Sequence, residues 1–225
     1  MVRMARAVAI LGRLTTVGIL LGLAVGGVLG RLAMMLLADL NPDATGVQSD
    51  DDFEMGRFTL SGSLNLLLVA GVLGAVFAGA YVALRGLRVG PRWFQVLSLG
   101  GGFGIVSAAF LVHRDGVDFT LLQPLWLTVG LFIALPALYG GGMALVGERA
   151  VDVADPTVGW WWRPALLAWL PLAPGLLILA AGWAVHRRLH PSRALYRGAW
   201  AARGTLGVVF ALAALDLAQD VAVLS

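Results

Sequence analysis

Long charge-free apolar stretches alternate with short polar ones along the whole chain. Uninterrupted runs cover Leu14–Gly30, Phe58–Leu84, Trp93–Val112, Phe119–Gly147 and Pro164–Val185. A bilayer core about 30 Å thick takes about 20 helical residues, so runs of this length read as spans. The first extends through Ala7–Gly12 and Leu32–Ala38, past Arg13 and Arg31. A shorter run, Gly204–Leu215, becomes a sixth segment only if Asp216 and Asp220 enter the membrane. The predicted segments are therefore 7–38, 58–84, 93–112, 119–147, 164–185 and 204–223, the last being the weakest. Barrel strands would alternate apolar and polar residues; these runs are apolar on every face. Helix is the state that satisfies every backbone group within lipid. The expected fold is all-α, a polytopic bundle of about six segments forming one membrane domain over residues 1–225.

Composition sharpens this picture. Hydrophobic residues make up 59% and charged residues 13% of the chain, against about 25% charged in soluble domains. All 16 basic residues are Arg, with no Lys, in a background rich in Ala, Gly, Leu and Val. That bias reflects GC-rich coding rather than nucleic-acid binding, because no basic stripe interleaves with aromatics in a soluble unit. The Arg residues sit at the ends of apolar runs, where membrane lipids with anionic headgroups are the expected partners. No Cys is present, which excludes disulfides, thiolate metal sites and Cys nucleophiles. Arg3, Arg6 and Arg13 resemble the start of a signal peptide, but the apolar run that follows outlasts an h-region of about 7–15 residues. It reads as the first span.

The polar loop 39–57 carries Asp39, Asp43, Asp50, Asp51, Asp52 and Glu54 and is expected outside the cytoplasm. With the N-terminus cytoplasmic and six crossings, the Arg residues divide 8 inside and 8 outside. The positive-inside rule disfavours that tie, which arises from the five Arg of 186–203. If the Pro-broken run 164–185 does not cross, the division becomes 13 and 3; if 93–112 bends back at its glycines, 12 and 4. Six plain spans remain the simpler alternative. The predicted location is the plasma membrane.

Few residues carry candidate chemistry. Gly18, Gly22, Gly26 and Gly30 recur every fourth position on one face of the first helix, a ladder that lets a neighbouring backbone approach. Packing within the bundle and a homodimer face both fit, and Gly71, Ala75 and Gly79 offer a matching face on the second helix. Acids within apolar helices are costly and often mark ion paths, which singles out Asp216 and Asp220. Arg31 would reach their depth if the last helix ran outward; it also fits a snorkelling Arg or a partner of Asp39. The hairpin His113, Asp115, Asp118 is a candidate polar site, with Asp115-Gly116 as the turn and Asp118 as an N-cap of the next helix. The alternative is a plain connection.

Other patterns fail their tests. Counted from Asp50, a calcium loop would need Gly and Glu where Met55 and Ser61 stand. His186 and His190 have helical zinc spacing but no Glu between them. Trp160-Trp161-Trp162 reads as an interfacial aromatic belt. No nucleophile elbow, phosphate loop or metalloprotease motif occurs, so no catalytic residue, metal or cofactor is assigned.

Gly30–Met35, the acidic loop, Phe58–Asn65 and the hairpin His113–Phe119 resemble uncharacterised multi-spanning membrane proteins of high-GC Gram-positive bacteria, a group with no assigned activity. The resemblance implies location and fold and carries over no functional residue. Two functions remain open. One is non-enzymatic: a small permease-like protein or an accessory subunit of a membrane or envelope complex, with homo-oligomerisation open. The alternative is an intramembrane enzyme acting on a lipid-linked substrate through residues 113–118.

Overall fold

The computed structural model describes residues 2–44, 46–47, 59–114, 116–152, 160–172 and 193–224. Among them every regular element is helical, and five helices are long and apolar enough to cross a membrane. The chain is an all-α polytopic transmembrane bundle. The acidic run 50–54, Asp115, residues 173–185 of the predicted fifth segment, and His186 and His190 lie outside the described residues.

The first span combines α1 (Val2–Leu21), a π-helical stretch (Gly22–Leu29) and α2 (Gly30–Leu40). The Gly30 N–H reaches back five residues to the Val25 carbonyl, the signature of the wider turn. Next come α3 (Leu60–Arg85) and α4 (Arg92–Leu111). Thr59 caps α3 by accepting the Gly62 N–H through its hydroxyl at 3.2 Å, so an orphan donor at the helix start finds a partner.

The predicted run 119–147 is broken in the structure. A short α5 (Val117–Leu121) precedes α6 (Leu125–Gly142), because Pro124 has no N–H to continue the ladder. Gly116 occupies the N-cap position of α5, so Asp118 lies inside its first turn instead of capping it. Beyond α6, a π-helical turn (Met143–Gly147) leads into α7 (Glu148–Asp152), so the helical path continues past the first charge. Residues Pro164–Leu172 form a 3-10 helix, and α8 (Arg193–Leu224) closes the chain.

Helix pairs are antiparallel and tightly set where glycines meet. A Cβ added at Gly22 would overlap the Ala70 carbonyl, and one at Gly18 would crowd the Gly74 carbonyl and Ala78. Gly26 meets the Ala70 methyl, and the adjacent Gly27 meets Leu67. A Cβ added at Gly30 would approach the helix's own Val25 carbonyl and, among the described residues, nothing of α3. The face on α3 is thus Ala70, Gly74 and Ala78, one position away from the predicted Gly71, Ala75 and Gly79. Gly71 takes Leu23 and Gly79 takes the Trp169 ring. A second close pair joins α4 and α6: Gly104 lies against Ile133 and Ala137, and Gly140 against Leu99 and Phe103. Hydrocarbon supplies no drive to bring helices together, so such close contacts and interhelical hydrogen bonds must do so.

The 3-10 helix and its flank rest on the first and second spans. Trp162 covers Gly12, and the Trp169 Nε1–H donates to the Thr15 hydroxyl at 2.9 Å. The last helix runs parallel to α4. Near its start Arg203 Nε donates to the Leu87 carbonyl at 3.0 Å; near its end Leu217 joins Ala108, Val112, Phe119 and Val129 in an apolar cluster. Residues on both sides of 173–192 therefore meet the same end of the bundle, the end that holds Arg85.

Candidate functional site

Among the described residues, two polar ends and one lateral groove hold the groups able to do chemistry. At the end shared by Arg85 and Arg203, Glu148 is the centre. Its Oε1 accepts from the Tyr81 hydroxyl at 2.6 Å, from Arg85 Nε at 3.0 Å and from Arg88 Nη2 at 2.6 Å. Its Oε2 accepts from Arg85 Nη2 at 3.1 Å. The fork of Arg85 thus grips both oxygens, the strong bidentate arrangement. Arg88 also donates to the Tyr81 hydroxyl at 3.0 Å, with its guanidinium 5.3 Å from the ring centroid. These contacts latch α3 and its following turn to the start of α7.

The wide turn before Glu148 makes this latch geometrically possible. Tyr139 faces α3, its hydroxyl donating to the Gly74 carbonyl at 2.7 Å. Nine residues of regular α-helix would bring Glu148 about half a turn away from that face. The Met143–Gly147 turn, bonded five residues back instead of four, holds more residues per turn and brings the carboxylate round to α3. Gly147 gives the room: a Cβ there would press on Leu14 and approach Tyr81. Sequence reading missed the whole cluster, since Glu148, Arg85 and Arg88 each read as the flank of an apolar run. The available signal was a lone acid and two Arg closing two runs at one end of an antiparallel pair.

At the opposite end, Arg114 Nη2 meets Asp220 Oδ1 at 3.3 Å, with Asp220 8% exposed. The pair joins the hairpin to the last helix, two places that sequence reading assigned to different hypotheses. His113 is exposed, and its Nδ1 lies 2.9 Å from the Leu111 carbonyl. Asp118 is buried in α5. Among the described residues, no group of three His or acidic side chains is arranged to hold a metal ion. A separate strap ties this end together: Asn41 Nδ2 donates to the Gln123 carbonyl at 2.9 Å, and the Gln123 N–H donates to Asn41 Oδ1 at 2.8 Å. Arg31 is half-buried on α2, an element that packs against α6, while α8 packs against α4.

Between α4 and α8 lies a groove of about 510 Å³, open to the side of the bundle. Val106, Ala109 and Phe110 form its α4 wall, and Val209, Leu212 and Ala213 its α8 wall. Asp216 and Gln219 supply the polar groups at one end. Asp216 is exposed, in contrast to the paired Asp220 one helical turn away.

The chemistry available is therefore ion pairing and hydrogen bonding at two levels, plus an apolar groove with a carboxylate. The sequence matches no family model, no curated protein and no solved structure.

Proposed function

We propose that the chain is a non-enzymatic, multi-pass subunit of a membrane or envelope complex in the plasma membrane, with its N-terminus in the cytoplasm. The observation that carries this reading is the last spanning helix. Only 11% of its most apolar window is buried within the chain, although it bears Asp216 and Asp220. Acids in spanning helices tend to face protein or water rather than lipid, and a partner in the bilayer supplies such a surface. The permease-like alternative needs a polar path along the bundle axis. Backbone-to-backbone packing at Gly18, Gly22 and Gly74 supports the subunit reading over it. The enzyme alternative rests on the hairpin, where the Nδ1 of His113 already engages its own chain.

The distribution of Arg supports the orientation. Arg13, Arg85, Arg88, Arg92, Arg149, Arg163 and Arg203 gather at one end of the bundle, Arg31 and Arg114 at the other; the Arg-rich end belongs inside. Cysteine labelling tests it cleanly, since the chain has no Cys. His113→Cys should react with a membrane-impermeant maleimide on intact cells, and Val89→Cys only after permeabilisation. The reverse pattern would invert the topology. For the subunit reading, membranes of the native host solubilised in mild detergent should show the chain in an assembly larger than itself. Migration as a lone chain would reject it.

A further inference from the structure

Asp216 lies one helical turn deeper than Asp220, about 6 Å along the axis. Asp220 is buried and meets Arg114 at the hairpin, which marks the interface. Asp216 instead opens onto the groove between α4 and α8, with apolar walls beside it and Gln219 as its polar neighbour. We propose that this groove seats one transmembrane helix of a partner protein, and that the helix presents a cationic or hydrogen-bond-donating side chain to Asp216. The inference rests on the subunit reading and specifies its surface and the chemistry of the partner.

Three features select a helix as occupant. The walls repeat at helical spacing: Val106, Ala109 and Phe110 on one side, Val209, Leu212 and Ala213 on the other. Such ridges form the groove into which a third helix fits. From Val209 to Gln219 is ten residues, about 15 Å, or almost three turns of contact. The depth of the carboxylate points the same way. A lipid ammonium stays at headgroup level, beside or outside the Arg114–Asp220 pair. A donor one turn further in must be carried there by a side chain on a spanning helix. Removed from water, the Asp216 carboxylate gains from such a donor what Asp220 already has from Arg114.

The test uses the full chain in phosphatidylcholine vesicles, with a donor dye on Val223→Cys. The probes are two acceptor-labelled polyleucine spanning peptides, one uniform and one with a single Arg a turn inside its outer end. Energy transfer should give about tenfold tighter association for the Arg peptide. Asp216→Leu should abolish that preference. Ala109→Trp, which fills the groove and keeps the carboxylate, should abolish it too. Thermal unfolding of both variants separates loss of binding from loss of fold; both positions are at least partly open to the surroundings.

Equal binding of the two peptides to the wild-type chain would overturn the proposal, as would a preference that survives Asp216→Leu. Energy transfer between copies, abolished by Ala109→Trp, would give the groove to a second copy and overturn it. Displacement of the peptide by added phosphatidylethanolamine, seen only with Asp216 present, would give it to a lipid. Should the peptides fail while the native assembly persists, the partner sits on another face and the subunit reading stands. A lone native chain removes that reading whatever the peptides do.

Discussion

The first and last spans have similar mean hydropathy, 2.1 and 1.8, yet half of the first one's most apolar window is buried against 11% of the last. Both carry glycines. Gly18 and Gly22 on the first span meet the backbone of α3 at Gly74 and Ala70, whereas a Cβ added at Gly204 or Gly207 on α8 would meet nothing within 4 Å among the described residues. Glycine therefore permits close approach without causing it; a partner helix must offer small residues at the same level. The polar ends differ in the same sense. Glu148 is enclosed by Tyr81, Arg85 and Arg88, while Arg114, which meets Asp220, is 56% exposed. One side of the molecule is closed by its own groups, and the other is left open.

Substitutions can break this contrast, and the largest effect belongs to the close helix pair. Gly22→Leu should destabilise the fold by roughly 3 kcal/mol, because the new side chain meets the Ala70 backbone and not a flexible neighbour. The midpoint of thermal unfolding in mild detergent reads it. Glu148→Gln should cost about 2 kcal/mol, since two guanidinium groups lose the charge they share. Combining it with Arg88→Gln should recover part of that loss. Trp169→Phe removes the donor to Thr15 and should cost about 1 kcal/mol, with easier proteolysis near residues 160–172 as a second measure. Arg114→Ala should change stability by less than about 1 kcal/mol, as expected for a partly exposed ion pair. Gly207→Leu should be neutral within about 0.5 kcal/mol. If it instead lowered the unfolding midpoint as much as Gly22→Leu, the difference between the two faces would disappear.

The spans were legible because length without charge is a sufficient criterion in hydrocarbon, and the glycine ladder because a spacing of four is visible on one strand of text. Its partner face was off by one residue, since α3 is apolar all round and its pattern does not say which side turns inward. The break at Pro124 follows from proline chemistry, although 119–147 read as one run. The Glu148 latch was illegible for another reason: it depends on how two helices 60 residues apart are phased. The pairing of Asp220 with Arg114 likewise needed the direction of the last helix, which Arg counting alone left open.

The over-wide turn at Met143–Gly147 has a consequence for any change in chain length. Deleting one residue there would return the helix to ordinary winding and leave eight regular residues from Tyr139 to Glu148, about 80° round the axis instead of half a turn, so the carboxylate would stay on the α3 side. One residue added to the regular helix between Tyr139 and the wide turn would instead swing everything after it by about 100° and point Glu148 away from Arg85 and Arg88, although the apolar stretch would lengthen by only about 1.5 Å. A compensating deletion beyond Glu148 would restore the length and leave the carboxylate misdirected. The bilayer measures how long this helix is; its neighbour α3 measures its angular phase.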